Sequence, residues 1–337
     1  MSDALEMILE HDGLADLDVA QRRLAMRALL IENDRASELD DVAAVVDGYG
    51  VLDRLMSDPA VTDILVNGVR DIWVERDGRL ARSDVEFASV ADLDATVERL
   101  MARGGGRVDP SDPIADVALP DGSRMHVVVP PISPSGPKIS IRRFSRSPMT
   151  LNDLVRLQMF DDPTRSRLED AVRDRMTIAV SGGTGSGKTT LLNALLAEVP
   201  QSERLVTIEE TPELRPTCAH WVSLVARPPN IEGKGEVTLA DLFRATLRMR
   251  PDRIVVGEVR GIEALVAIDA LSTGHPGSLV TVHARSAGDV HERLVRLAVG
   301  GGLSETTLRS RVGDAFDLIV HIDRVGGERR VSEVVTP

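Results

Sequence analysis

The chain has 337 residues, 42% hydrophobic and 28% charged, a balance that builds cores for about two ordinary domains and excludes disordered, fibrous and mini-protein classes. Its single cysteine, Cys218, rules out an intramolecular disulfide and a cysteine-rich zinc module, which fits a reducing cytoplasm. Net charge is −13, with 27 acidic against 16 basic side chains in residues 1–145 and only eight aromatic residues in all; nucleic acid is therefore not an expected partner.

Residues 1–10 carry acids where a secretory leader carries a basic region, and no apolar run approaches the ~18 residues of a membrane span. No direct membrane insertion is expected. Between residues 4 and 30, Leu5, Ile8, Leu9, Leu17, Leu24, Ala28 and Leu29 recur at threes and fours, the spacing of helices that pack on one another. Residues 1–50 read as an N-terminal helical segment. Beyond Val61, short β-rich runs at 64–66 and 72–75 are each followed by a turn signal, Asn67-Gly68 or Asp77-Gly78. A helix over 90–102 stops at Gly104-Gly105-Gly106, Asp121-Gly122 separates two further runs, and 139–143 reads as a closing strand. Residues 51–144 thus form a smaller α/β domain of PAS-like texture. Ser147-Pro148 and the loss of apolar periodicity make 145–152 a linker.

From 153 to 337, helical stretches alternate with apolar strands at 177–181, 204–209, 253–257 and 278–283. That alternation predicts an α/β domain with a mostly parallel sheet flanked by helices, whose ligands collect at the carboxyl ends of the strands.

Gly182-Gly183-Thr184-Gly185-Ser186-Gly187-Lys188-Thr189 follows the strand Ile178-Ala179-Val180 and leads into a helical run from Thr190, the context that the G-x-x-x-x-G-K-[ST] pattern requires. Glycines let successive N–H groups turn inward around phosphates, and the helix N-terminus adds its positive end. Lys188 is one of three lysines against 37 arginines, so a lysine at this position is not compositional noise, and its compact ammonium suits the β and γ oxygens. The hydroxyl of Thr189 is the expected Mg²⁺ ligand. A nucleoside triphosphate is the implied ligand of residues 182–190.

Two apolar strands end in acids. Ile254-Val255-Val256-Gly257-Glu258 is flanked by Arg248, Arg250, Arg253 and Arg260, and Val206-Thr207-Ile208-Glu209-Glu210 precedes Thr211-Pro212-Glu213. Glu258 is the first candidate for general base or water-orienting residue and Glu209 the second, and both are candidate Mg²⁺ partners alongside Thr189. His275 and His283 bracket the strand at 278–283 and are candidates to sense the γ-phosphate or to link it to a neighbouring subunit. No third Cys or His lies at ligand spacing, which argues against a histidine-bound metal.

In this order the segments resemble the secretion and pilus ATPase superfamily of bacterial type II and type IV systems: a Walker A box at 182–189, an Asp box at 207–214, a Walker B box at 247–260 and a His box at 273–284. Asp58-Pro59-Ala60-Val61-Thr62-Asp63-Ile64-Leu65-Val66-Asn67-Gly68 and Leu119-Pro120-Asp121-Gly122-Ser123-Arg124 are similar to segments of the CpaF-like ATPases of Tad (Flp) pilus machines. The resemblance implies a RecA-like fold for the C-terminal domain, ATP and Mg²⁺ as ligands, and a homo-hexameric ring. It further implies that arginines of the N-terminal domain reach the nucleotide; Arg142 and Arg143 fall at that motif, with Arg107, Arg124, Arg260 and the acid Glu210 as further site candidates. On this reading the protein is a cytoplasmic motor, held at the inner face of the membrane by an inner-membrane platform protein, that drives assembly of pilin subunits. The ATPase of a type IV secretion or conjugation channel is the alternative within the same chemistry, and a RecA-like DNA translocase the alternative outside it. Two departures stand out: Glu209-Glu210 replaces the usual Glu-Asp pair, and the cysteine-rich zinc insertion of many type II secretion ATPases is absent.

Overall fold

The computed structural model describes the chain except residues 1–2, 12, 15–16, 18, 77, 144–147, 228, 230–233 and 273; Asp77, Phe144, the start of the expected linker and Thr273 therefore lie outside the described residues. The chain divides into two compact units, Met1–Ser145 and Arg146–Pro337. Among the described residues, no helix is long and apolar enough to cross a membrane.

The first unit opens with helices α1 (Asp3–Leu9), α2 (Val19–Glu32), α3 (Leu39–Val46) and α4 (Asp53–Ser57). The stripes of α1 to α3 meet on Ile8, Met26, Leu30 and Val42. Strands β1 (Val61–Gly68), β2 (Asp71–Arg76) and β3 (Arg79–Arg82), helix α5 (Val90–Arg103), then β4 (Ile114–Ala118), β5 (Arg124–Val128) and β6 (Lys138–Arg142) follow. The strands make one antiparallel sheet in the order β3-β2-β1-β6-β5-β4. Alternation turns Ile72, Val74, Met125 and Val127 to one face, where they join Leu93, Val97, Leu100 and Met101 of α5 in a single core. Each such side chain, fully buried, contributes about 1.5–3 kcal/mol. Helix α5 starts where it does because Ser89 accepts the N–H of Asp92 at its N-cap.

The second unit begins with α6 (Leu151–Arg156), which lies partly within the stretch expected as linker because Thr150 and Asp153 form a capping box there. It continues through α7 (Asp162–Arg173), β7 (Ile178–Gly182), α8 (Lys188–Leu196), β8 (Leu205–Glu209) and β9 (Trp221–Val225). Then come α9 (Leu239–Thr246), β10 (Arg253–Val259), α10 (Glu263–Ser272), β11 (Leu279–Val282), α11 (Asp289–Ala298), α12 (Glu305–Gly313), β12 (Leu318–Val325) and β13 (Glu328–Val335). The sheet order is β13-β12-β7-β11-β10-β8-β9, parallel throughout except for the β12–β13 hairpin. Strands β7, β8 and β11 are buried along their whole length, as strands covered by helices on both faces must be. One face packs against α9 to α12 and the other against α6 to α8. The expected strands therefore form the middle of the sheet, and β9, β12 and β13 extend it at both sides.

Candidate functional site

Strand β7 hands directly into the glycine loop. Gly182, Gly185 and Gly187 hold φ of +154°, +69° and +98°, a region that L side chains rarely adopt. At Gly182 a Cβ would also lie 2.5 Å from the carbonyl oxygen of Ile322, on β12. The loop ends on α8, whose first residue is Lys188; the helix begins two residues before the sequence run suggested. The Lys188 ammonium donates to the carbonyls of Gly182 and Gly183 at 3.0 and 2.9 Å, bridging the mouth of the loop. Burial pulls its pKa below the ordinary value, while the carboxylates of Glu258 and Glu213 act in the opposite sense. Thr189 is half-buried and Thr190 exposed on the first turn of α8.

His283, at the end of β11, connects the loop to the acid of β10. Its Nδ1 lies 3.5 Å from Glu258 Oε1, and its Nε2 lies 3.5 Å from Thr184 Oγ1. Both Glu258 and His283 are about 40% exposed, open enough to meet a ligand. Thr184 and His283 share a cavity of about 970 Å³ with the buried hydroxyl of Ser186 and with Asp323 and Arg324 of β12. Among the described residues, Ser186 Oγ has no hydrogen-bond partner.

Glu209 is buried at the end of β8. Its Oε1 accepts the N–H groups of Glu213 and Leu214, both at 2.8 Å, and its Oε2 is buried with no partner among the described residues. Burial raises its pKa to about 7 against the lowering effect of those two N–H groups. Glu210 and Arg260 form an exposed ion pair with each other.

The remaining candidates are held elsewhere. His275 places Nδ1 3.2 Å from the carbonyl of Ala270, at the end of α10, and is absent from the cavity wall. Arg143 donates to the carbonyls of Leu55, Asp58 and Val61, so its guanidinium fastens α4 to β1. Arg142 is half-exposed and pairs with Asp63 at 3.4 Å; Arg124 pairs with Asp116 at 3.1 Å and Arg107 with Asp109 at 2.9 Å. Arg253, in the basic flank of β10, is fully buried on Glu203 and the Gly277 carbonyl, which makes it a structural ion pair.

Three features escaped the sequence reading. The carboxylate of Glu213 acts on the Lys188 ammonium, a role that its place in Thr211-Pro212-Glu213 does not signal. From the buried Ser181 a chain runs, Oγ to His321 Nδ1 (2.9 Å), and on from the buried His321 Nε2 to Oδ1 of the half-exposed Asp323 (3.4 Å). Arg329 of β13 donates from Nε to the carbonyl of Gly185 at 3.0 Å. Gly326-Gly327 between two alternating runs was the available signal for the hairpin that carries Asp323 and Arg329.

A glycine loop between a buried parallel strand and a helix, with an acid-bearing strand one removed from it in the sheet, defines a RecA-like P-loop nucleoside triphosphatase. The chain belongs to the type II/IV secretion system protein family, whose model matches residues 46–316. It is similar to a putative conjugal transfer protein of Mycobacterium tuberculosis, 40% identical over 294 residues that cover 85% of this chain and 84% of that one. It is also similar to the type IV secretion system protein PtlH of Bordetella pertussis, 33% identical over 90% of this chain and 97% of that one. Among solved structures, the Yersinia pseudotuberculosis ATPase DotB shares the fold, with a TM-score of 0.60 at 20% identity over 85% of this chain and 77% of that one. The protein is thus a nucleotide-binding, ATP-hydrolysing enzyme of the type II/IV secretion system protein family.

Proposed function

We propose that the chain is the ring-forming motor of a membrane transport machine, and that Gly182 to Thr190 hold the phosphates of ATP. The observation that carries this reading is the convergence of Lys188, Thr184, His283 and Glu258 on one mouth of the loop. Lys188 exchanges its two carbonyl partners for β and γ oxygens, and the N–H groups of the loop and of α8 hold the remaining oxygens. The residues present also fit Mg²⁺: the Thr189 hydroxyl and the Glu258 carboxylate are oxygen donors, and the orphaned Oε2 of Glu209 is a buried acceptor suited to a metal-bound water. When bound, Mg²⁺ neutralises charge between the β- and γ-phosphates. Glu258 orients the attacking water and takes its proton, and His283 reports the occupancy of the terminal phosphate site to β11. The base of the nucleotide is assigned to a second cavity of about 530 Å³ lined by Met159, Phe160 and Val331, since Met159 also reaches Gly187 at the start of α8.

In a homo-hexamer of this kind an arginine from the N-terminal unit completes the site. Arg142 is the better placed of the adjacent pair, because the guanidinium of Arg143 is committed to backbone carbonyls. Two destinations for the work share this chemistry. Tad-type pilus assembly through an inner-membrane platform is supported by the segments at 58–68 and 119–124. A conjugal or type IV secretion channel is supported by the names of the M. tuberculosis and B. pertussis relatives. In either case the protein works at the inner face of the membrane through partners, without nucleic acid in its site. Genes for prepilin and prepilin peptidase beside its own favour the first destination; genes for channel and coupling proteins favour the second.

The test is a pair of variants assayed for ATP binding and phosphate release. Lys188→Ala is expected to lose nucleotide binding, whereas Glu258→Gln retains it and loses at least about 100-fold in turnover. Wild-type turnover by Glu258→Gln removes the base assignment, and undisturbed ATP binding by Lys188→Ala removes the phosphate site itself.

A further inference from the structure

The C-terminal hairpin carries a second set of cations to the phosphate loop. In the parallel pairing of β12 with β7, Ile322 stands opposite Gly182, so the residues after it run beside the loop. The chain turns at Gly326 and Gly327, whose φ values are +62° and +94°, and returns with Arg329 directly across from Arg324. Two like charges facing each other across a hairpin are unfavourable. Here both also converge on Gly185: Arg329 donates to its carbonyl, and a Cβ placed on Gly185 would lie 3.3 Å from Arg324 Nη1.

The nearby acids do not relieve this. Asp323 faces His321, and Glu328 pairs with Arg330 at 2.7 Å. Among the described residues, Arg324 has no hydrogen bond or ion pair, and it is exposed on the wall of the cavity that holds Thr184, Ser186 and His283. An uncompensated guanidinium opposed by another and aimed at a phosphate cradle is a local conflict of the sort found where a ligand resolves it.

We propose that Arg324 is a catalytic arginine supplied in cis, its guanidinium contacting the terminal phosphoryl oxygens of ATP bound to the same chain. The inference rests on the phosphate-site reading above and adds to it a residue that the sequence motifs do not contain. As the water oxygen bonds to the terminal phosphorus, the bond from that phosphorus to the ADP oxygen breaks, and the water proton passes to Glu258. ADP and inorganic phosphate are the products. Arg324 balances the charge spread over the transferring oxygens, and it does so most strongly in the transition state. It therefore governs kcat more than affinity.

The experiment measures kcat and KM by phosphate release, and ADP affinity by fluorescence, for full-length wild type, Arg324→Ala, Arg324→Gln and Arg324→Lys, with thermal melts of each. An arginine in this role is worth up to roughly 10³ to 10⁵ in rate. The expected result is a kcat at least about 30-fold lower in Arg324→Ala and Arg324→Gln, ADP affinity within about threefold of wild type, and partial recovery in Arg324→Lys, which restores charge without the fork. A kcat within twofold of wild type in both neutral variants overturns the proposal, as does a loss of turnover matched by an equal loss of ADP affinity. Wild-type turnover that Lys188→Ala abolishes shows in the same assay that the phosphate site stands whether or not Arg324 acts on it. A wild type that releases no phosphate defeats both.

Discussion

Glu209 is held in two opposing ways at once. Two backbone N–H groups on Oε1 favour its charged form, while burial, with the nearby Glu213 carboxylate, favours the neutral one. Burial prevails, and the pKa stands at about 7. Because the unfolded carboxyl titrates near 4.5, the folded chain binds more protons between these values. The stabilising contribution of this group is therefore fully present below about pH 4.5 and is lost as pH rises through about 7, with a slope of at most about 1.4 kcal/mol per pH unit. Glu209→Gln has no such proton to lose. The melting temperature of wild type minus that of the variant is expected to fall between pH 4.5 and 7.5; a difference that stays constant across the window shows that Glu209 is already ionised when folded. At this scale the glycine loop was legible because lysine is so rare in the chain that Lys188 carried information by itself. Arg324 was not, because one arginine among 37 carries none until the hairpin places it.

Helix α8 joins two parts of the site. Its first residue is Lys188, and at Asn193 it tethers the loop that follows β8: Nδ2 donates to the Glu213 carbonyl at 3.2 Å, and Oδ1 accepts the N–H of Arg215 at 2.8 Å. The same loop supplies the two N–H groups that hold Glu209, so the phosphate cradle and the buried acid share one support. Asn193→Ala removes two hydrogen bonds and is expected to cost about 1–3 kcal/mol, a fall of roughly 3–10 °C in melting temperature. If the tether serves the chemistry, kcat drops further than ADP affinity; equal losses in both mark Asn193 as mere scaffolding. At this scale the central strands β7, β8, β10 and β11 were legible from unbroken apolar runs, which only strands covered on both faces can carry. The edges were not: β9 and β13 leave most of their side chains partly or fully exposed, so their composition follows the solvent as much as the core. The links that bind the site together, from Ser181 to His321 and from Arg329 to Gly185, connect residues about 140 positions apart; nothing in local spacing anticipates them.

For the whole molecule, the division of labour between the two units decides whether one chain is enough. Lys188, Glu258, His283 and Arg324 all belong to Arg146–Pro337, and the half-exposed Arg142 belongs to Met1–Ser145. If Arg142 acts on the nucleotide of a neighbouring subunit, turnover requires assembly, and its dependence on concentration follows mass action. Specific activity is expected to rise with protein concentration to a plateau, and native mass measurement with a non-hydrolysable ATP analogue is expected to show six chains. Mixing separates contact in trans from contact in cis. When Arg142→Ala subunits are titrated with Glu258→Gln subunits, each inactive alone, a site completed by the neighbour regains turnover wherever an intact Arg142 faces an intact Glu258. A site completed within its own chain regains none, because every subunit in the mixture then lacks one of the two groups. Recovered turnover at intermediate ratios thus identifies a shared site, and a monomer whose specific activity is independent of concentration eliminates the ring.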